Sequence, residues 1–449
     1  MATTERPTAP GETAGDSHAG LRADVRDWLA ASWSPDLTLR DWWARLAEAG
    51  WAFPTFPAGY GGRGLSQSDA RVVGEELTRA GAVAPAAGLG QMMGAPVVLD
   101  FGTEEQKRAW VPALAAGAES WCQLFSEPGA GSDLASLQTR AVRDGDVWIV
   151  NGQKVWTSGA RTADRGMLVA RTNPDAPKHK GITYFVIDMD QPGVDVRPLR
   201  QMTGGSAFNE VFFTDAVVPH DRVIGEVHGG WMVAVATLAY ERQGIGGRGG
   251  GGGVAAGAAG ERNGLLDRTV GDLIRRAQQE GDEIAIARAV RTPGSMIRLA
   301  RERGRSGDPV MRQRLAAMHA HGETQRVTGQ RARAAAQQGK QPGPEVSTAK
   351  LAMSAQGRRA RDVAMEVLGA HGMLLGEDAP NGGRFHQMAL SVQSASIAGG
   401  TDEVQRNIVG ERVLGLPKEP QVDRDVPFKE LRTGTQGRAA DPRPPDGEG

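Results

Sequence analysis

Several groups of residues in this chain have the types and spacing that chemistry uses. His319 and His321 stand two positions apart in a helical pattern. Their side chains would diverge by about 200° on that helix and could not share one ion. The other histidines form no ligand cluster, and no metal is expected. Two stretches fit G-x-G-x-x-G: Gly59/Gly61/Gly64 lies in a Pro/Gly loop, and Gly244/Gly246/Gly249 runs into consecutive glycines. Dinucleotide binding needs a strand before the glycines and a helix N-terminus after them, and neither stretch has that context. Arg331, Arg333, Arg358, Arg359 and Arg361 read as a solvated or interface face on a nearly neutral chain. No Gly-x-Ser-x-Gly elbow with a placed His points to a hydrolase. Two features remain. One is the dense run Leu124 to Ala160, LFSEPGAGSDLASLQTRAVRDGDVWIVNGQKVWTSGA. The other is Glu241, at the end of the apolar run WMVAVATLAY, where a carboxylate is costly if buried without a partner. An ordinary helix-end Glu, or one paired to Arg242, is the plain alternative.

The elements that must hold these residues follow from periodicity. Residues 1–20 mix Thr, Pro, Gly, Ala and Glu without an apolar core, which predicts a disordered leader and no secretory signal. Residues 21–120 carry apolar residues at three- and four-residue spacing, the pattern of an all-α domain. Within it Thr103 and Gln106 have capping-box spacing, and Gly81 is a helix stop. Residues 121–229 switch to short β-branched and aromatic runs, a β-domain of six or seven strands. There the Asp-Gly-Asp and Asn-Gly pairs of AVRDGDVWIVNGQKVWTSG predict two hairpin turns. Residues 230–416 return to helices, interrupted by a Gly-rich, charged segment over 244–291. Residues 417–449, rich in Pro, Gly, Asp and Arg, read as a mostly disordered tail. The fold class is α+β, in the order α, β, α.

Composition sets the outer bounds. The chain has 449 residues, 52 Lys+Arg against 53 Asp+Glu, and a formal charge of -1. That balance excludes the basic excess of a nucleic-acid or membrane-surface protein. The single cysteine, Cys122, allows no intrachain disulfide, which fits a reducing compartment. No apolar run approaches a membrane span, so a cytoplasmic protein is expected. All ten Trp lie between Trp28 and Trp231, ahead of an aromatic-poor, Gly-rich second half.

The run from Leu124 to Ala160 resembles the acyl-CoA dehydrogenase signature. In that family a Ser/Thr-Glu-Pro-x-Ala-Gly-Ser-Asp loop precedes a Gly-Asp hairpin and an Asn-Gly-x-Lys-x-Trp strand. The resemblance extends from about Leu21 to Leu416 and includes TEEQKRAWVP, LRQMTGG, FNEVFF and GGTDEVQRNIVGERVLG. It implies the family's fold: an N-terminal all-α domain, a middle β-domain and a C-terminal helical bundle. It implies an FAD-dependent oxidoreductase of lipid metabolism that converts an acyl-CoA thioester to the trans-2-enoyl-CoA. Gln123, Phe125 and Ser126 match the strand along the flavin ring. Trp156 and Ser158 match the residues against the ring and near its N5. Gly131 and Ser132 match the turn that meets cofactor phosphate or acyl-CoA, and Thr401 and Glu403 match positions near the cofactor's phosphates and adenosine.

The same resemblance locates the base. Many members place a Glu just before Gly-Thr in the segment matching SIAGGTDEVQR, where this chain has Gly399. A second arrangement puts the Glu on the helix after the β-domain, and Glu241, followed by Arg242, falls there. The backbone N–H of Gly399 would still bind the thioester carbonyl. The family's Arg-x-x-Phe/Tyr-Gly motif, which reaches FAD from a neighbouring subunit, is missing from the interval with the glycine tract. The resemblance implies an electron-transfer flavoprotein as electron acceptor and a homo- or hetero-oligomer, dimer or tetramer. A subunit of a heteromeric dehydrogenase, catalytic only in part or not at all, and an acyl-CoA oxidase are the alternatives.

Overall fold

A computed structural model describes residues 18–246, 262–280, 291–337, 343, 346–418, 420 and 423–431. The N-terminal helices are α1 (Ala19–Ser32), α2 (Leu39–Glu48), α3 (Gln67–Arg79), α4 (Ala95–Phe101) and α5 (Glu104–Ala115). Thr103 and Gln106 form the expected capping box of α5, and Ser66 and Asp69 form another on α3. The apolar face of α2 buries Trp42 and Trp43 completely, with Trp28 tilted against Trp42 and Trp33 edge-on to it.

The middle of the chain forms an eight-stranded sheet in the order β6-β7-β3-β2-β4-β5-β8, with β1 paired to β4. The strands are β1 (Trp121–Leu124), β2 (Arg140–Asp144), β3 (Val147–Ser158), β4 (Arg165–Arg171), β5 (Ile182–Asp188), β6 (Val194–Leu199), β7 (Phe208–Pro219) and β8 (Val223–Ile224). The Asp-Gly-Asp turn joins β2 to β3 as expected. The Asn-Gly turn does not exist: β3 runs unbroken through Asn151 and Gly152, with a register shift against β7 between Val150 and Gly152. The physical reason is close approach. A Cβ on Gly152 would lie 2.5 Å from Thr139 Oγ1, and the Asn151 amide reaches across to Asp215 (2.9 Å). The extra residue of this register shift lies on β7, where Asp215 has φ +51°, so β3 itself passes straight through Asn-Gly.

After the sheet, α6 (Gly230–Gly246) packs against β5 and α4. The helices Pro293–Glu302, Pro309–Gln337, Val346–Leu368, Arg384–Ser391 and Asp402–Ile408 build the C-terminal bundle around Met296, Met318, Val363, Phe385 and Met388. Of the divergent segment 244–291, residues 247–261 and 281–290 lie outside the described residues. Its described middle forms α7 (Arg262–Leu266) and α8 (Val270–Glu280). Leu266, Val270 and Leu273 close the core of Trp42 and Trp43, and Leu39 N donates to Arg268 O (2.9 Å). This part of the segment therefore completes the first helical domain. The tail also departs from expectation. Residues 423–431 lie along residues 174–177, with a bridge between Pro177 and Pro427; residues 1–17 and 432–449 lie outside the described residues. Among the described residues no helix is long and apolar enough to cross a membrane.

Candidate active site

The signature residues converge on one end of the sheet. β1 presents Gln123, and the chain continues through Phe125 and Ser126 toward the middle of β3. Val155 N donates to Ser126 O (2.9 Å) and Lys154 Nζ donates to Phe125 O (2.9 Å). Both carbonyls are thus engaged within the protein, so their N–H groups and the half-buried Ser126 hydroxyl are the atoms suited to a ligand edge. Gln123 Nε2 is buried without a hydrogen-bond partner. Native proteins rarely leave such a donor unpaired.

Trp156 departs from ordinary backbone geometry. Its φ is +62°, a region costly for a non-glycine residue, and it falls where the β3–β7 register shifts again, between Lys154 and Thr157. Trp156 is 60% exposed, and its ring meets Phe208 edge-on with centroids 5.9 Å apart. A strained backbone that displays an exposed indole fits a flat aromatic ligand. Ser158, two residues on, is exposed, as are Gly131 and Ser132 in the turn before Leu134. A Cβ on Gly131 would meet no protein atom within 4 Å.

The strand ends are fixed by residues that motif reading passed over. Lys154 is fully buried and Glu127 nearly so, and Lys154 Nζ sits 2.8 Å from Glu127 Oε1. Glu127 also accepts from Gln138 N (2.7 Å) and Thr139 N (2.9 Å). Burial opposes ionisation of both partners. The Lys154 charge and the N–H donors nevertheless hold Glu127 below the ordinary carboxylate value, while burial pulls Lys154 below the usual lysine value. The signal was available: Lys154 has the same parity in β3 as the inward-facing Trp148 and Val150, where a charge demands a partner.

Helix α6 is aimed at this place by a short relay. The Phe125 ring packs edge-on against Tyr184 (5.9 Å). Tyr184 OH accepts from the buried Thr237 hydroxyl (3.4 Å). Glu241 lies four residues beyond Thr237, on the same helix face, and is half-buried. Tyr240 OH donates to Asp100 Oδ2 (2.5 Å) and pins the end of α6 to α4; burial and that carboxylate push the Tyr240 phenol up to about 12. The Arg242 side chain lies outside the described residues.

The segment matching the alternative base position sits in a separate turn. Gly399 has φ +67°, favoured by glycine over any Glu, and Gln405 Nε2 donates to its carbonyl (2.9 Å). The Thr401 hydroxyl caps the helix Asp402–Ile408 by accepting from Val404 N (3.2 Å). Glu403 is exposed and pairs with Arg406 (3.3 Å). The buried residue of the turn is Asp402, held by Lys350 (3.0 Å) and Arg358 (2.9 Å). Lys350 and Arg358 belong to the helix Val346–Leu368, which also touches α6. Arg358 thus anchors a turn rather than forming part of a free basic face.

Comparison with known proteins agrees with this architecture. The profile of the acyl-CoA dehydrogenase N-terminal domain matches residues 16–118, that of the middle domain 122–216, and that of the C-terminal domain 283–414. The chain is 36% identical over 424 residues to acyl-CoA dehydrogenase IpdE1 of Mycobacterium tuberculosis, covering 89% of this chain and 98% of that protein. It is 39% identical to acyl-CoA dehydrogenase FadE34 of the same organism over 83% of this chain, though it spans only 46% of that protein. Among solved structures, a Tcur3481-Tcur3483 steroid acyl-CoA dehydrogenase superposes with TM-score 0.65 at 28% identity, covering 91% of this chain and 99% of that one. The ChsE4-ChsE5 complex of Mycobacterium tuberculosis gives TM-score 0.60 at 28% identity, with 92% and 100% covered. The chain belongs to the acyl-CoA dehydrogenase family. It is an FAD-dependent oxidoreductase, and the orphaned Gln123 amide and the displayed Trp156 ring fit that cofactor.

Proposed function

We propose that this chain desaturates an acyl-CoA thioester between its α- and β-carbons, with Glu241 as the base. The observation that carries the assignment is the relay Phe125–Tyr184–Thr237. It turns one face of α6 toward the strand assigned to the flavin, and Glu241 extends that face by one turn. The bound FAD supplies a hydride acceptor. Glu241 Oε takes the α-proton, and the electron pair of that C–H bond becomes the new double bond as the β-hydrogen leaves with its own pair. Substrate closing over a half-buried carboxylate removes water and raises its basicity. The Gly399 N–H polarises the thioester carbonyl, a task for which backbone suffices. Gln123, Phe125, Ser126, Trp156 and Ser158 hold and orient the ring, and Gly131 and Ser132 meet phosphate or the acyl-CoA. Thr401 and Glu403, at the start of the helix Asp402–Ile408, take the positions near the cofactor's phosphates and adenosine that the family resemblance implies. An electron-transfer flavoprotein reoxidises the reduced enzyme in a cytoplasmic setting.

The test is anaerobic bleaching. The yellow protein loses its flavin colour on mixing with a suitable acyl-CoA, and Glu241→Gln keeps the flavin but bleaches about 10²–10⁴ times more slowly. Bleaching at the wild-type rate in that variant refutes the assignment. The panel includes short, long and branched chains and a CoA thioester of a steroid side chain, since one similar structure is described as a steroid acyl-CoA dehydrogenase. Peroxide formed in air would identify an oxidase instead.

A second reading has its own support. Two of the similar structures are named for two different chains, and the Arg motif that completes a neighbour's cofactor site is absent here. A heteromeric partner accounts for both. It predicts colourless protein when the chain is purified alone, and colour with activity only on co-expression with a paralogue.

A further inference from the structure

Residues 423–431 lie against residues 171–178, the end of β4 and the loop after it, through a compact set of contacts. Phe428 N donates to Ala176 O (2.9 Å) and Lys429 N to Pro174 O (3.0 Å). Lys429 pairs with Asp175 (2.7 Å) and Asp423 with Lys178 (2.7 Å). The Phe428 ring covers the Arg171 guanidinium, 3.7 Å from its centroid. Arg171 is only 4% exposed, and its fork donates to Ala135 O and Lys178 O, each at 2.6 Å. Lys178 also holds Asp133 (3.1 Å), the residue after Ser132. The same loop touches α6, where the His179 ring meets Trp231 (4.9 Å). Burying a guanidinium strengthens the hydrogen bonds it donates, so the Phe428 ring tightens Arg171 on the segment after Ser132.

We propose that residues 423–431 are a positioning strap: Phe428 on Arg171, and Asp423 on Lys178, hold the Gly131–Leu137 segment in its ligand-binding shape. The inference rests on the reading that Gly131 and Ser132 meet cofactor phosphate or the CoA moiety. Neither Asp423 nor Phe428 touches that turn, so they act through Lys178 and Arg171. Preorganising the turn would tighten ligand without altering the reacting atoms.

The test uses the full-length, FAD-loaded protein and three variants: Phe428→Ala, Asp423→Asn, and Phe428→Trp as a conservative rescue that keeps an aromatic face. Amide exchange across 131–137 should accelerate about tenfold in Phe428→Ala and Asp423→Asn while the Trp42 core stays protected. The Kd for FAD or for free coenzyme A should rise about fivefold in those two variants and return in Phe428→Trp. The proposal is overturned by unchanged exchange at 131–137, by acceleration spread evenly over the molecule, or by both Kd values staying within about twofold. Neither readout depends on Glu241 or on turnover. A failure of the proposed reaction therefore shows separately, as wild-type flavin that no acyl-CoA bleaches.

Discussion

At the scale of single residues, Trp156 carries a cost that folding alone does not explain. A left-handed φ on a bulky residue is unfavourable by roughly 1–3 kcal/mol, and the ring recovers little of it while 60% exposed. Such strain persists where a ligand exploits it. Trp156→Gly should therefore leave apo-protein stability unchanged or raise it by about 1 kcal/mol, as read by a thermal melt, while FAD is lost on dialysis. A large loss of apo stability with FAD retained would contradict a flavin role for the indole. Gly399 is the complementary case. Gly399, at the position where the family resemblance would put a Glu, has the left-handed φ that glycine favours; the proposed base, Glu241, is on a helix whose backbone has no such restriction.

At the scale of elements, the site depends on how β1 and β3 are locked. The Glu127–Lys154 pair is buried and ties the loop after β1 to β3. Lys154→Met would leave Glu127 desolvated and unpaired, and should destabilise by about 3–5 kcal/mol, measured by denaturant midpoint. The paired change Glu127→Gln with Lys154→Met should recover part of that loss, because neither charge is then stranded. Additive losses would show that the pair is not coupled. The α6 anchor is softer: Tyr240→Phe removes one bond to Asp100 and should cost about 1 kcal/mol. If that bond sets the reach of Glu241, the variant also slows flavin bleaching more than it weakens acyl-CoA binding.

At the scale of the whole molecule, two buried carboxylates, one in each helical domain, tie helices together and set the acid limit. Glu76, 1% exposed, is gripped by Arg26, Arg22 and Arg79, which hold its carboxyl down at about 2 from an ordinary 4.5. Burial works against ionisation of Asp402, but Lys350 and Arg358 outweigh it and hold that carboxyl at about 2 from 3.8. Both values are lower folded than unfolded. Their contribution is therefore complete above the unfolded values and is lost as pH falls toward about 2. Unfolding midpoints followed downward from about pH 5 should fall in wild type, and Glu76→Gln should flatten that slope. The segment after the glycine tract makes a second prediction. Leu266 is 4% exposed in the Trp42/Trp43 core, so Leu266→Ala should cost about 2–5 kcal/mol by thermal or denaturant melt, whereas a linker residue would cost nothing.

The sequence by itself determined the order of helices and strands, the capping signals and the signature run, because those are written in local spacing that backbone geometry reads directly. It also placed Glu241 on an apolar helix. Tertiary structure alone decided that Asn151-Gly152 continues a strand instead of turning, since Thr139, twelve residues back from Asn151, packs where a Cβ on Gly152 would lie. It alone turned residues 262–280 into part of the first core, and residues 423–431 into a strap on Arg171. It alone joined Glu127 to Lys154 and Asp402 to Lys350 and Arg358. Each of these is a partner chosen from far along the chain, and a buried charge announces that it needs a partner without naming which one.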